Sequence, residues 1–158
     1  MKKFKKNWLL ASMLLCLMFV FCSCDDDDEM PSNEIGFNDI TLTGAAEVQT
    51  NPVVTDGEGV LDAIYNKDTN VLTYTVTWEL GKPDDKTTGM HFHGPATRTE
   101  SAGVIIPIML NSDAPMGNIT GQTRALTQAE EEQLLSGLWY LNIHSTTYPQ
   151  GELRGQLD

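Results

Sequence analysis

Three histidines carry most of the chemistry open to this chain: His91 and His93 in GMHFHGPA and His144 in YLNIHS, the only imidazoles it has. A spacing of two residues puts His91 and His93 on one face if their segment is a β-strand. Two neutral imidazoles on one strand, joined by a third from a neighbour, make a nitrogen donor set suited to zinc or copper. An open fourth position on such an ion would admit water and allow catalysis. Glu152, in QGELRG, is a candidate fourth ligand or hydrogen-bond partner of the set. The same residues also fit a purely structural network. In it the imidazoles bond to backbone carbonyls and to Glu152 while Arg154 pairs with a carboxylate, pinning the last hairpin to the HFHGPA strand. Residue type and spacing leave both readings open.

The elements that must position these groups are strands. In NVLTYTVTWEL, Leu72, Tyr74, Val76, Trp78 and Leu80 alternate with polar or β-branched neighbours, the pattern of a strand with one buried face. GVLDAIYN precedes it across the polar turn NKDTN, so the two form a hairpin. FNDITLTG, GMHFHG and GVIIPIML supply further strands, and Pro107 in the last marks an edge or a bulge. LTQAEEEQLLSG predicts the one helix, with Thr127 as N-cap, Glu130 completing a capping box, Gly137 closing the C-terminus, and Leu134 and Leu135 as its docking face. LWYLNIH and GELRGQLD are the last two strands, joined by STTYPQ. Seven short strands and one short helix predict an all-β fold, a sandwich or Greek-key barrel.

Strand phase then says where the polar groups point. Burying Trp139, Leu141 and Ile143 turns Tyr140, Asn142 and His144 to the other side. Burying Phe92 does the same for His91 and His93, and burying Leu153 and Leu157 does it for Glu152, Arg154 and Gln156. All three histidines, Glu152 and Arg154 are therefore expected on the non-core side of their strands.

The ends are of a different character. Four lysines precede an apolar run from Trp8 to Phe21, which has the length of a secretory signal and is short for a membrane span. Residues 1–23 read as a signal peptide. FCSC resembles the lipobox of bacterial lipoproteins, with Ser23 before Cys24 as the acylated N-terminus of the mature chain. The DDDDE that follows resembles an acidic signal for export to the outer leaflet, and it also keeps the segment 24–36 extended as a disordered tether. These readings place the protein on the outer membrane, lipid-anchored through Cys24 and exposed at the surface, with residues 37–158 as one domain.

Removing the leader leaves 6 basic against 22 acidic residues, a formal charge of −16, which disfavours nucleic acid as a partner. With Cys24 lipidated, no thiol is left for a disulfide, a thiolate metal site or a nucleophile. No G-x-S-x-G elbow exists, and TDGEGVLD lacks the spacing of a calcium loop.

HFHGPA, then GVIIPIML, then LLSGLWYLNIHSTTYPQGELRGQL resemble the CHRD (chordin) domain over nearly the whole mature chain. That resemblance implies an immunoglobulin-like or Greek-key β-barrel similar in architecture to Cu/Zn superoxide dismutase, whose His-x-His strand HFH matches. It also implies a polar network of Asn142, Glu152 and Arg154. Three histidines are too few for a copper-and-zinc pair, so dismutase chemistry is not expected. A non-enzymatic binding or structural module is, with an extracellular protein or glycan as its ligand.

Overall fold

A computed structural model describes residues 33–158. The segment read as a signal peptide, Cys24 and the acidic run lie outside the described residues. Eight strands form one antiparallel sheet: β1 (Glu34–Thr43), β2 (Glu58–Asn66), β3 (Val71–Glu79), β4 (Thr87–His93), β5 (Val104–Pro107), β6 (Met116–Gln122), β7 (Trp139–Ser145) and β8 (Leu153–Leu157). Their order across the sheet is β5-β4-β7-β8-β1-β2-β3-β6. The sheet curls into a half-barrel around a single apolar core, the all-β architecture expected from strand patterning. β1 already pairs with β2 from Glu34, so the strand takes in the last residues of the segment read as tether.

Alternation is what closes the core. Leu72, Tyr74, Val76 and Trp78 of β3 and Leu61, Ala63 and Tyr65 of β2 enter it from one half of the sheet. Met90 and Phe92 of β4, Trp139, Leu141 and Ile143 of β7, and Leu153 and Leu157 of β8 enter from the other. Each such side chain contributes about 1.5–3 kcal/mol on burial. Pro107 ends β5, the outermost strand on its side, where a missing N–H costs no ladder bond.

β6 is a strand that the sequence pattern did not announce. MGNITGQ has glycine at two of its three inward positions, Gly117 and Gly121, where β-branched residues would signal a strand. Those glycines stand directly opposite Trp78 and Tyr74 of β3. A Cβ on Gly117 would lie 2.8 Å from the Trp78 ring, and one on Gly121 would lie 2.5 Å from the Tyr74 hydroxyl. The aromatic rings of β3 thus cover the bare backbone of β6 and take the place of its own side chains.

Helix α1 (Gln128–Leu135) starts with the expected capping box of Thr127 and Glu130 and ends where Gly137 turns into the left-handed region at φ +69. Leu134 docks into the core, while Leu135 stays exposed, so the docking face is narrower than two leucines.

Candidate functional site

Strands β4 and β7 lie side by side in the register Gly89↔His144, His91↔Asn142 and His93↔Tyr140, and β8 continues the rows with Arg154 opposite Asn142 and Gln156 opposite Tyr140. That register brings the three histidines together, with ligand-capable nitrogens all within 4.8 Å of one another. Phe92 points into the core, as its phase requires. Gly89 leaves room beside them, since a Cβ there would sit 3.0 Å from Cε1 of His91.

The face away from the apolar core is not solvent. Segments around Glu47 and from 94 to 103 fold over it, and Tyr140, Asn142, Arg154 and Gln156 are buried beneath them. His93 is nearly closed off at 8% exposure, while His91 and His144 are half-buried.

Hydrogen bonds assign the imidazole protons. Nδ1 of His93 lies 3.0 Å from the Ala102 carbonyl, and Nδ1 of His144 lies 3.0 Å from the Pro149 carbonyl. A carbonyl only accepts, so both Nδ1 atoms carry the proton and both Nε2 atoms are bare. Nε2 of His144 then accepts from Nδ1–H of His91 at 3.2 Å, and the buried Nε2 of His93 has no partner among the described residues. Burial holds all three rings below the usual imidazole pKa; the charge of its neighbours His144 and His93 adds to this at His91. The rings are therefore neutral at pH 7, the form that ligates metal.

One of the nitrogen separations matches an ion's geometry, while the set as a whole reaches 4.8 Å and would have to draw together to share one. With metal–nitrogen bonds of about 2.0–2.1 Å, the edge of a tetrahedron is about 3.3 Å, close to the His91–His144 separation. Were an ion held there, Nδ1 of His91 and Nε2 of His144 would be its donors, with the His91 proton on Nε2 instead. Nδ1–H bonded to a backbone carbonyl, with Nε2 free, is the outer arrangement that orients metal-binding histidines. Among the described residues no carboxylate or thiolate joins the cluster.

Two expectations about its surroundings need correction. Glu152, 1% exposed, does not face the histidines: its Oε1 accepts from Thr55 Oγ1 at 2.6 Å and from Gly81 N at 2.8 Å, at another place in the fold. The cause is local, because β8 begins only at Leu153 and Gly151 takes φ +130. Strand alternation therefore does not extend back to residue 152. Arg154, 2% exposed, makes no salt bridge among the described residues. Its guanidinium donates to the carbonyls of Glu100 (2.8 Å) and Thr97 (3.0 Å) and to Gln156 Oε1 (3.1 Å), and lies 3.7 Å from the centre of the Tyr140 ring. Asn142 donates from Nδ2 to Glu47 Oε1.

Glu47 itself had no sequence signal, being one acidic residue in the loop GAAEVQT. Burial pushes its carboxyl up to about 7, against hydrogen bonds from Gln49 and Asn142 and the attraction of Arg154. A folded-state value above the ordinary 4.5 means that the unfolded chain loses this proton first as pH rises. Stability is retained below about 4.5 and declines as pH rises to about 7. Solvent screening at the partly open carboxyl reduces the change to about 1–2 kcal/mol. Glu47→Gln should flatten that slope in urea denaturation series run across the window.

A family model described as CHRD domain matches residues 39–157. No curated protein and no solved structure matches the chain.

Proposed function

The chain belongs to the CHRD domain family, and from that premise we propose that it is a lipid-anchored, surface-displayed binding module whose domain holds a zinc or copper ion between His91, His93 and His144. One observation carries the metal reading: two bare Nε2 atoms, each preset by a backbone carbonyl on the opposite ring nitrogen, belong with His91 to a cluster whose ligand nitrogens lie within 4.8 Å of one another. Three neutral nitrogen donors favour zinc or copper over the hard cations that take oxygen ligands. The function is binding, with an extracellular protein or glycan as the partner.

Elemental analysis after loading with zinc or copper and desalting should return one ion per folded chain. His91→Ala and His144→Ala should each return none. Wild-type protein that stays folded and metal-free under saturating zinc and copper overturns the reading.

The anchoring part rests on the FCSC and DDDDE segments and has its own test. Cys24→Ala should move the protein from the membrane to the soluble fraction, since the acyl chains on that sulfur supply the membrane affinity. Replacing Asp25 to Asp28 with serine should leave it membrane-bound but protected from protease added to whole cells. Unchanged fractionation of Cys24→Ala rules out the lipid anchor.

A further inference from the structure

His93 is held by more than a hydrogen bond. Its ring stacks on Tyr140, with centroids 4.8 Å apart and planes within 4° of parallel. β7 runs between β4 and β8, so the Tyr140 ring has His93 on one side and Arg154 on the other, the guanidinium carbon 3.7 Å from the ring centre. Arg154, Tyr140 and His93 thus form a three-layer stack running across three strands. The Tyr140 hydroxyl also accepts from Ala102 N at 3.2 Å and donates to Ala102 O at 3.3 Å, gripping the residue whose carbonyl receives the His93 proton. Arg154 holds the same covering segment a few residues earlier, through the carbonyls of Thr97 and Glu100.

We infer that Tyr140 and Arg154 are positioning residues of the histidine site, which fix the ring plane and the tautomer of His93 so that its Nε2 is bare within the cluster it forms with His91 and His144. The metal-binding consequence rests on the proposed function; the tautomer consequence does not. Stacking restricts the tilt of the ring, and the gripped Ala102 carbonyl keeps the proton on Nδ1. A buried imidazole with a wandering carbonyl would exchange tautomers and put a proton on Nε2 for part of the time. Arg154 serves through the fork geometry of its guanidinium, which lysine cannot reproduce because it offers a point charge without two parallel donors. His144 is held by Pro149 on a different loop and so acts as an internal reference.

Long-range proton–nitrogen NMR on metal-free protein reads the tautomers directly. Wild type should show the Nδ1–H form at both His93 and His144. Tyr140→Phe keeps the stack and loses the grip on Ala102, and should give mixed tautomers at His93 alone. Tyr140→Leu and Arg154→Lys should do the same. In zinc competition titrations Tyr140→Leu should bind about 10–100-fold more weakly, the range typical of lost outer contacts, with Tyr140→Phe and Arg154→Lys between it and wild type. A His93 that keeps its wild-type tautomer in folded Tyr140→Phe and Arg154→Lys overturns the inference. Wild type that binds no zinc while the tautomers shift as stated overturns the metal reading alone. If Tyr140→Leu does not fold, Tyr140→Phe decides.

Discussion

Zinc at a hundred times its dissociation constant should stabilise the domain by about 2.7 kcal/mol, a rise in Tm on the order of 10 °C, and His91→Ala should erase the rise. The size follows from mass action alone, because an ion that binds only the folded arrangement shifts the equilibrium in proportion to the logarithm of its saturation. The unfolded chain keeps the histidines but loses the register that puts their nitrogens within 4.8 Å. In metal-free protein His91→Ala removes one imidazole hydrogen bond, worth about 1 kcal/mol. A network that is only structural therefore predicts a small loss in the mutant and no zinc response in either protein. Acid sharpens the contrast. All three imidazoles have folded-state values below the ordinary 6.5, so the unfolded chain takes up protons first and stability falls as pH drops below that value. Protons and zinc compete for the same nitrogens, so the zinc-induced rise in Tm should shrink over the same range. A Tm that zinc leaves unmoved at pH 7.5 removes the metal from the account.

The histidine cluster was legible because it depends on the most regular feature of the chain. HFH and LNIH are interior to strands, where period two leaves one face for Phe92 and Ile143 and the other for the imidazoles. What lies over that second face was not legible. Phase says that Arg154 leaves the apolar core, yet it says nothing of the segment from 94 to 103 that covers it, since that segment has no periodicity and is held by its backbone carbonyls. Any sequence can offer a carbonyl. Glu47 was hidden for the same reason, as a loop residue placed only by the fold. β6 was missed because its inward positions are glycines, whose role is defined by the Trp78 and Tyr74 rings of another strand. Glu152 was assigned by extending a strand pattern one residue beyond the strand.

That displaced carboxylate gives the second large effect: Glu152→Ala should cost about 3 kcal/mol and lower Tm by roughly 10 °C while leaving one zinc bound per chain. Glu152 is among the most buried charged groups of the domain, and its Oε1 receives both the Thr55 hydroxyl and the Gly81 amide. The Thr55 hydroxyl in turn accepts from Gly57 N, so one carboxylate ties residues 55–57 and the turn after β3 to the start of β8. Space there is tight, because a Cβ on Gly57 would lie 2.7 Å from Gly81 N and 3.0 Å from Glu152 Oε1. Alanine removes the acceptor and leaves two buried donors unpaired in a place too crowded for easy rearrangement. Glutamine keeps an acceptor at Oε1 and puts its amide nitrogen where Oε2 has no hydrogen-bond partner among the described residues, so Glu152→Gln should cost about 1 kcal/mol. Differential scanning calorimetry with zinc analysis on the same samples separates stability from binding. Loss of zinc in a Glu152→Gln protein of unchanged Tm would return the carboxylate to the histidines, whereas loss of Tm with zinc retained fixes it as the buried acceptor on which this end of the half-barrel closes.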